Sequence, residues 1–209
     1  SDLYFKAWES GCKGFTIYRE GSRSGVLVSN EPKEASIAST KAPKRPPVLK
    51  CDIHRTTIAG ESYVMLVGLL NNQPYEVFCG LSKNIGLPKS KITGTITKRL
   101  VKPGVAVYDL AIPSQDDEIV IADFVELFDN PLYGAFTRTL SLSLRHGVPV
   151  QFIVEQLRKD KNSDMHSFAS AVARVLSKHY IADGTKFTGE KQCTDCKSTN
   201  LVYQNGCMT

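Results

Sequence analysis

Between Val48 and Pro113 the chain is written almost entirely in strand-forming segments, and this limits its architecture more than any other feature. VLKCDIHRTTI, ESYVMLVGLL and QPYEVFCGL are rich in β-branched and aromatic residues, and Asn71-Asn72 sets a hairpin turn between the last two. KITGTITKRL alternates polar and apolar positions with Ile92 and Ile96 on one side, and GVAVYDLAI follows the turn at Pro103-Gly104. Short turns of this kind join antiparallel neighbours, so the stretch predicts an antiparallel sheet of about five strands. The pattern then becomes helical. EIVIADFVELFDN leads into LYGAFTRTLSLSLRHGV, where Leu132, Phe136, Leu140 and Leu144 recur every four residues and Gly147 supplies a stop. VPVQFIVEQLRKD and HSFASAVARVLSKHYIADG add two amphipathic helices, the second burying Phe168, Val172, Val175 and Leu176. A sheet of about five strands followed by three helices is an α+β arrangement, expected over residues 48–184.

The flanks differ in character. SDLYFKAWESGC reads as a short helix capped by Asp2, with Leu3, Ala7 and Trp8 on one face and Gly11 as a left-handed stop. GFTIYREGSR reads as a strand running into a turn. One helix and one strand cannot bury a core, so residues 1–23 read as the end of something larger. Residues 24–47, including SNEPKEASIASTKAPKRPP, have the polar, proline-broken composition of a flexible linker that cannot offset its ordering entropy by burial.

At 209 residues, with 42% apolar, 22% charged and 9% aromatic residues, the composition is that of an ordinary soluble protein. No segment approaches the roughly 18 unbroken apolar residues of a membrane span. The N-terminus opens with an acid and lacks the basic start and apolar run of a secretory signal, so the expectation is a cytoplasmic protein. There, six cysteines point to metal or redox chemistry before structural disulfides. No phosphate loop, nucleophile elbow or zinc-hydrolase helix occurs. His54, His146, His166 and His179 are scattered and read as surface or helix-end residues, and Asp116, Asp117 and Glu118 as a solvated turn. Lys83, Lys89, Lys91, Lys98, Arg99 and Lys102 fall within twenty positions; a solvated sheet face explains them, and a phosphate-rich partner is the rival explanation.

Cys12, Cys51 and Cys79 sit singly in apolar or strand contexts and read as small core residues. Cys193, Cys196 and Cys207 form a different group. CTDC is one knuckle of a zinc ribbon, in which paired thiolates converge about 2.3 Å from one ion, and LVY is a strand of suitable length beyond it. NGCMT would begin the second knuckle, with a fourth thiolate expected just past Thr209. A redox dithiol is the competing assignment for the same three residues.

Several stretches together carry a resemblance. GCKGFTIYREGSRSGVL, KRPPVLKCDIH, YVMLVGLLNNQPYEVFCG, RTLSLSLRHGVPVQFIVEQLR, ASAVARVLSKHYIADG and CTDCKSTNLVYQNGC follow, in order, the C-terminal part of adenosylcobalamin-dependent class II ribonucleotide reductases. The resemblance implies that residues 1–23 resemble the last helix and strand of the catalytic α/β barrel and residues 48–184 an accessory domain. It likens residues 185–209 to a truncated, zinc-ribbon-like cysteine tail. It places the radical cysteine, its reducing pair and the adenosylcobalamin site upstream, with no catalytic residue in this segment. The implied partners are that barrel, in the same chain or as a separate subunit, a thioredoxin-type reductant and the ribonucleotide substrate; no membrane or nucleic acid is expected. The tail cysteines Cys193, Cys196 and Cys207 would bind zinc or relay electrons. The alternative from another class is a non-catalytic zinc-ribbon module binding nucleic acid or a protein.

Overall fold

The computed structural model describes residues 2–16, 40–114, 117–128, 130–159, 164–187, 192–193 and 196–209. Two compact units are present, Ser1–Ser39 and Thr40–Thr209. In the first, α1 (Asp2–Glu9) closes with Gly11 in the left-handed region (φ 75°), where the Gly11 and Cys12 N–H groups return to the Trp8 and Ala7 carbonyls. Asp2 lies within the first turn instead of capping it. Residues 13–16 form no strand, and the remainder of the expected barrel strand lies outside the described residues.

The second unit opens on β1 (Val48–Ile58), β2 (Glu61–Leu70) and β3 (Gln73–Leu81), an antiparallel meander in which Asn71 and Asn72 both adopt positive φ. A single helical turn, α2 (Ser82–Ile85), leads to β4 (Thr93–Lys102), β5 (Val105–Pro113) and β6 (Glu118–Ile121). The strand order is β3-β2-β1-β4-β5-β6. The sixth strand corrects the helical reading of EIVI. Its β-branched residues pair with β5, Ile112 opposite Ile119, and the next long helix starts only after Asn130-Pro131. Ile92, expected beside Ile96 on the strand, lies before β4 and is exposed, whereas Ile96 is fully buried.

The sheet is strongly curled. Four strand spacings would separate β3 from β5 by roughly 19 Å if the sheet were flat. The rings of Phe78 on β3 and Tyr108 on β5 nevertheless lie 5.2 Å apart, with Phe124 against both. The concave face therefore encloses a core of its own: Cys51, Ile53, Val64, Leu66, Ile96, Leu110, Ile112 and Phe124. Gly80 makes room for it, since a Cβ there would lie 1.8 Å from the Phe128 ring.

On the convex side, α3 (Pro131–Arg145), α4 (Val150–Leu157) and α5 (Phe168–Tyr180) build a second core with Met65, Val67, Val77 and Cys79. Asn130 caps α3 by accepting from the Leu132 and Tyr133 N–H groups, and Ser167 caps α5 by accepting from that of Ser170. Phe168, Val172, Val175 and Leu176 are all buried; on α3, Leu140 and Leu144 are buried while Leu132 stays exposed. Helix α3 also covers the edge strand β3. The outward Val77 N–H donates to Ser141 Oγ (2.9 Å), so a helix side chain satisfies a group that a neighbouring strand would otherwise satisfy.

Residues 40–47, assigned from composition to the linker, belong to this second unit and are held against it. Residues 24–39 lie outside the described residues.

Candidate functional site: the C-terminal cysteine hairpin

After α5 the chain turns at Gly184 (φ 83°) and runs back along itself. The Tyr203 N–H donates to the Thr185 carbonyl, those of Gly184 and Phe187 to Tyr203 and Leu201, and Lys186 bridges to Val202. The hairpin β7 (Tyr203–Gln204) and β8 (Cys207–Met208) is closed by Asn205 and Gly206, both at positive φ, the geometry that Asn-Gly favours in two-residue turns.

This hairpin is seated on the helices. A Cβ on Gly206 would lie 2.6 Å from Lys178 Cα, so glycine allows the turn to touch the α5 backbone. Arg158 at the end of α4 donates to both Ser177 Oγ (2.9 Å) and the Gly206 carbonyl (3.2 Å), and the Asn205 N–H donates to Asp183 Oδ1 (2.8 Å). Tyr203 is wholly buried beneath the turn; its hydroxyl has no hydrogen-bond partner among the described residues, and burial raises its pKa. An open cleft of about 640 Å³ lies near the root of the tail, lined in part by Asn72, Pro149, Gln151, His179 and Thr185.

Beside the two cysteines the Lys197 N–H donates to the Cys193 carbonyl (3.1 Å), the Cys193 N–H to the Ser198 carbonyl (2.8 Å), and Lys197 is left-handed (φ 58°). Cys207 lies on β8, opposite Gln204. Cys196 and Cys207 are exposed and Cys193 is half-buried. The three sulfurs are not gathered into one ligand set: among the described residues no group of three or more His, Cys, Asp or Glu side chains is arranged to hold a metal ion.

Other candidates resolve differently. Cys51 and Cys79 are core residues whose thiols burial pushes up, Cys79 to about 12 and Cys51 higher still. Cys12, expected in a core, is exposed just after α1. His54 is half-buried. It lies under the end of α5, its Nε2 is 2.7 Å from the Tyr180 hydroxyl, and that hydroxyl donates to Asp52 Oδ2 (2.8 Å). Because Tyr180 has one proton and gives it to Asp52, His54 must be the Nε2–H tautomer. The His179 ring lies against His54 with its centroid 4.3 Å away, tilted by 31°. Burial, then the neighbouring His179, pull the His54 pKa down to about 4. His146 caps α3, and its Nδ1 is 2.9 Å from Thr40 Oγ1.

Members of the basic run engage neighbouring groups. Lys83 faces Glu61, the Lys91 Nζ donates to the Pro113 carbonyl, Lys98 lies over the Tyr108 ring, and Arg99 pairs with Asp109, holding that carboxyl below its usual range. Asp117 accepts the Ser114 N–H, Glu118 opens β6, and Asp116 lies outside the described residues.

Fold and site together define a class of protein: a two-core α+β domain with a cysteine hairpin fixed to its helical side. Residues 49–182 match the family model described as NrdJ homologue C-terminal domain. The match covers more than half of the chain, and the chain belongs to that family, which relates it to the class II ribonucleotide reductases. No curated protein and no solved structure matches it. Among the described residues no helix is long and apolar enough to cross a membrane.

Proposed function

We propose that this chain is the C-terminal portion of an adenosylcobalamin-dependent ribonucleotide reductase of the cytoplasm, which converts ribonucleotides to deoxyribonucleotides for DNA synthesis. The family match over residues 49–182 carries the reading. In it, residues 1–23 complete the catalytic barrel, adenosylcobalamin is bound upstream, and the domain from Thr40 onward supports the cysteine tail. This segment alone has no activity.

For the tail, Cys193, Cys196 and Cys207 remain the residues of interest, as zinc ligands or as a relay. As a relay, a Cys193 or Cys196 thiolate attacks the oxidised active-site pair through a mixed disulfide, and the other thiolate then displaces the active-site sulfur. A Cys193–Cys196 disulfide results and a thioredoxin-type dithiol reduces it. Four-sulfur zinc coordination would passivate the same thiols, so the two roles exclude one another at a given moment. The nucleic-acid alternative needs one accessible basic patch; the pairing of Lys83 with Glu61 and of Arg99 with Asp109 offsets part of that charge and counts against it.

The test is ribonucleotide reduction with adenosylcobalamin and a dithiol, by this chain alone and mixed with a polypeptide carrying the catalytic barrel. Turnover is expected only in the mixture; a soluble, folded chain that gives none there overturns the reading. With Cys193→Ser and Cys196→Ser, a relay predicts loss of thioredoxin-driven turnover with turnover on a small dithiol retained. A zinc role predicts loss of bound zinc instead.

A further inference from the structure

Residues Thr40–Pro47 have no regular secondary structure, yet they lie against one end of the curled sheet through specific contacts. Arg45 is the centre. Its Nε and Nη2 donate to the two oxygens of Glu76 (2.9 and 2.6 Å), Nη2 also to the Ile96 carbonyl (3.3 Å), and Nη1 to the Pro46 and Pro47 carbonyls (2.6 and 2.9 Å). All five N–H donors of the guanidinium therefore have acceptors. The Tyr108 ring lies 5.6 Å from its carbon, within cation–π range.

Among the remaining contacts Thr40 Oγ1 lies 2.9 Å from His146 Nδ1, and donors of the domain take carbonyls of the strap. The Tyr75 hydroxyl donates to Pro43 (2.8 Å) and the Lys98 N–H to Pro47 (2.8 Å). Prolines at 43, 46 and 47 have no N–H to offer and keep the residues before them extended. Aromatic rings, donors aimed at carbonyls and an acid for arginine are the means by which proteins bind proline-rich ligands.

On the receiving side, Glu76 Oε1, the Tyr75 hydroxyl and the Lys98 N–H are bonded by the strap, while Glu76 Oε2 is shared with the domain itself. Glu76 is fully buried and keeps a second partner, Arg145 Nη2 at 3.1 Å, whose guanidinium lies over the Tyr75 ring. Tyr75, Glu76, Ile96, Tyr108 and Arg145 all fall within the family-matched span, whereas the strap lies before it.

We propose that this end of the sheet is a recognition site for an extended Arg-Pro-Pro segment, occupied by the chain's own Arg45-Pro46-Pro47 as a displaceable strap. Released, it frees eight residues, up to roughly 26 Å of extended chain, and opens the site to the same tripeptide on a partner polypeptide. The proposal is independent of the reductase reading.

The test uses the full chain carrying Arg45→Ala and a fluorescent peptide of sequence TKAPKRPPV. The variant is expected to bind the peptide at least about tenfold more tightly than the unmodified chain, whose site is filled. Binding is expected to be lost with a TKAPKAPPV peptide or when Glu76→Gln is added. Arg45→Lys, which keeps the charge and loses the planar fork, gives the same readout in a less perturbed chain. A folded variant that ignores the peptide, or peptide binding that survives Glu76→Gln, overturns the proposal. Loss of the cooperative unfolding transition in Arg45→Ala also overturns it, since the strap would then be an integral part of the fold.

Discussion

The adjacent imidazoles of His54 and His179 tie stability to pH. His54 takes its proton near pH 6.5 when unfolded and only near pH 4 when folded, because burial and His179 oppose the charge. Between those values the unfolded chain binds more protons, so the contribution is full above about pH 6.5 and is lost as the pH falls toward 4. Allowing for its partial exposure, about 1–2 kcal/mol is at stake. Urea unfolding at pH 7 and pH 4.5 should show a smaller loss for His54→Gln than for the unmodified chain; equal losses would exclude the mechanism. Tyr203 offers a simpler case. Its hydroxyl is buried without a partner, so Tyr203→Phe is expected to leave the melting temperature unchanged or raise it, by up to about 1 kcal/mol of stability. A fall of several degrees would mean that the hydroxyl has a bound water or another partner.

At the scale of elements, the tail depends on a glycine. Gly206→Ala must adopt positive φ and push against the Lys178 backbone, weakening the seat of the hairpin by about 1–3 kcal/mol. Hydrogen exchange should then lose protection at the Tyr203 amide while Val64 and Leu66 on β2 keep theirs. The elements are unevenly legible in the sequence. Strands β1 to β5 and the burial of α5 follow from alternation and period, because each repeats over enough residues to specify a face. EIVI misleads because four residues carry no period, and only pairing with β5 decides between helix and strand. The lone acid in QPYEVFCGL and the arginine in KRPP are conspicuous singly, yet nothing local says that they meet across 31 positions. The Cys-x-x-Cys spacing at Cys193 and Cys196 is visible in the sequence; the seat of the hairpin on α5 is long-range and leaves no pattern.

For the molecule as a whole, the six cysteines fall into two reactivity classes. Cys51 and Cys79 are buried with raised pKa values, whereas Cys12, Cys196 and Cys207 are exposed and Cys193 is half-buried. An aromatic disulfide reagent at pH 8 should titrate the tail thiols and Cys12 within minutes and reach Cys51 and Cys79 only on unfolding. Uniform reactivity would show that one of the two cores opens readily. The strand order has a kinetic counterpart. Two three-stranded meanders, β1 to β3 and β4 to β6, are each assembled from neighbours in sequence, and only the β1–β4 pairing joins them. Each can form locally with little loop-closure entropy, so the late and slow event in folding should be the closure of that one seam, on which the concave core depends.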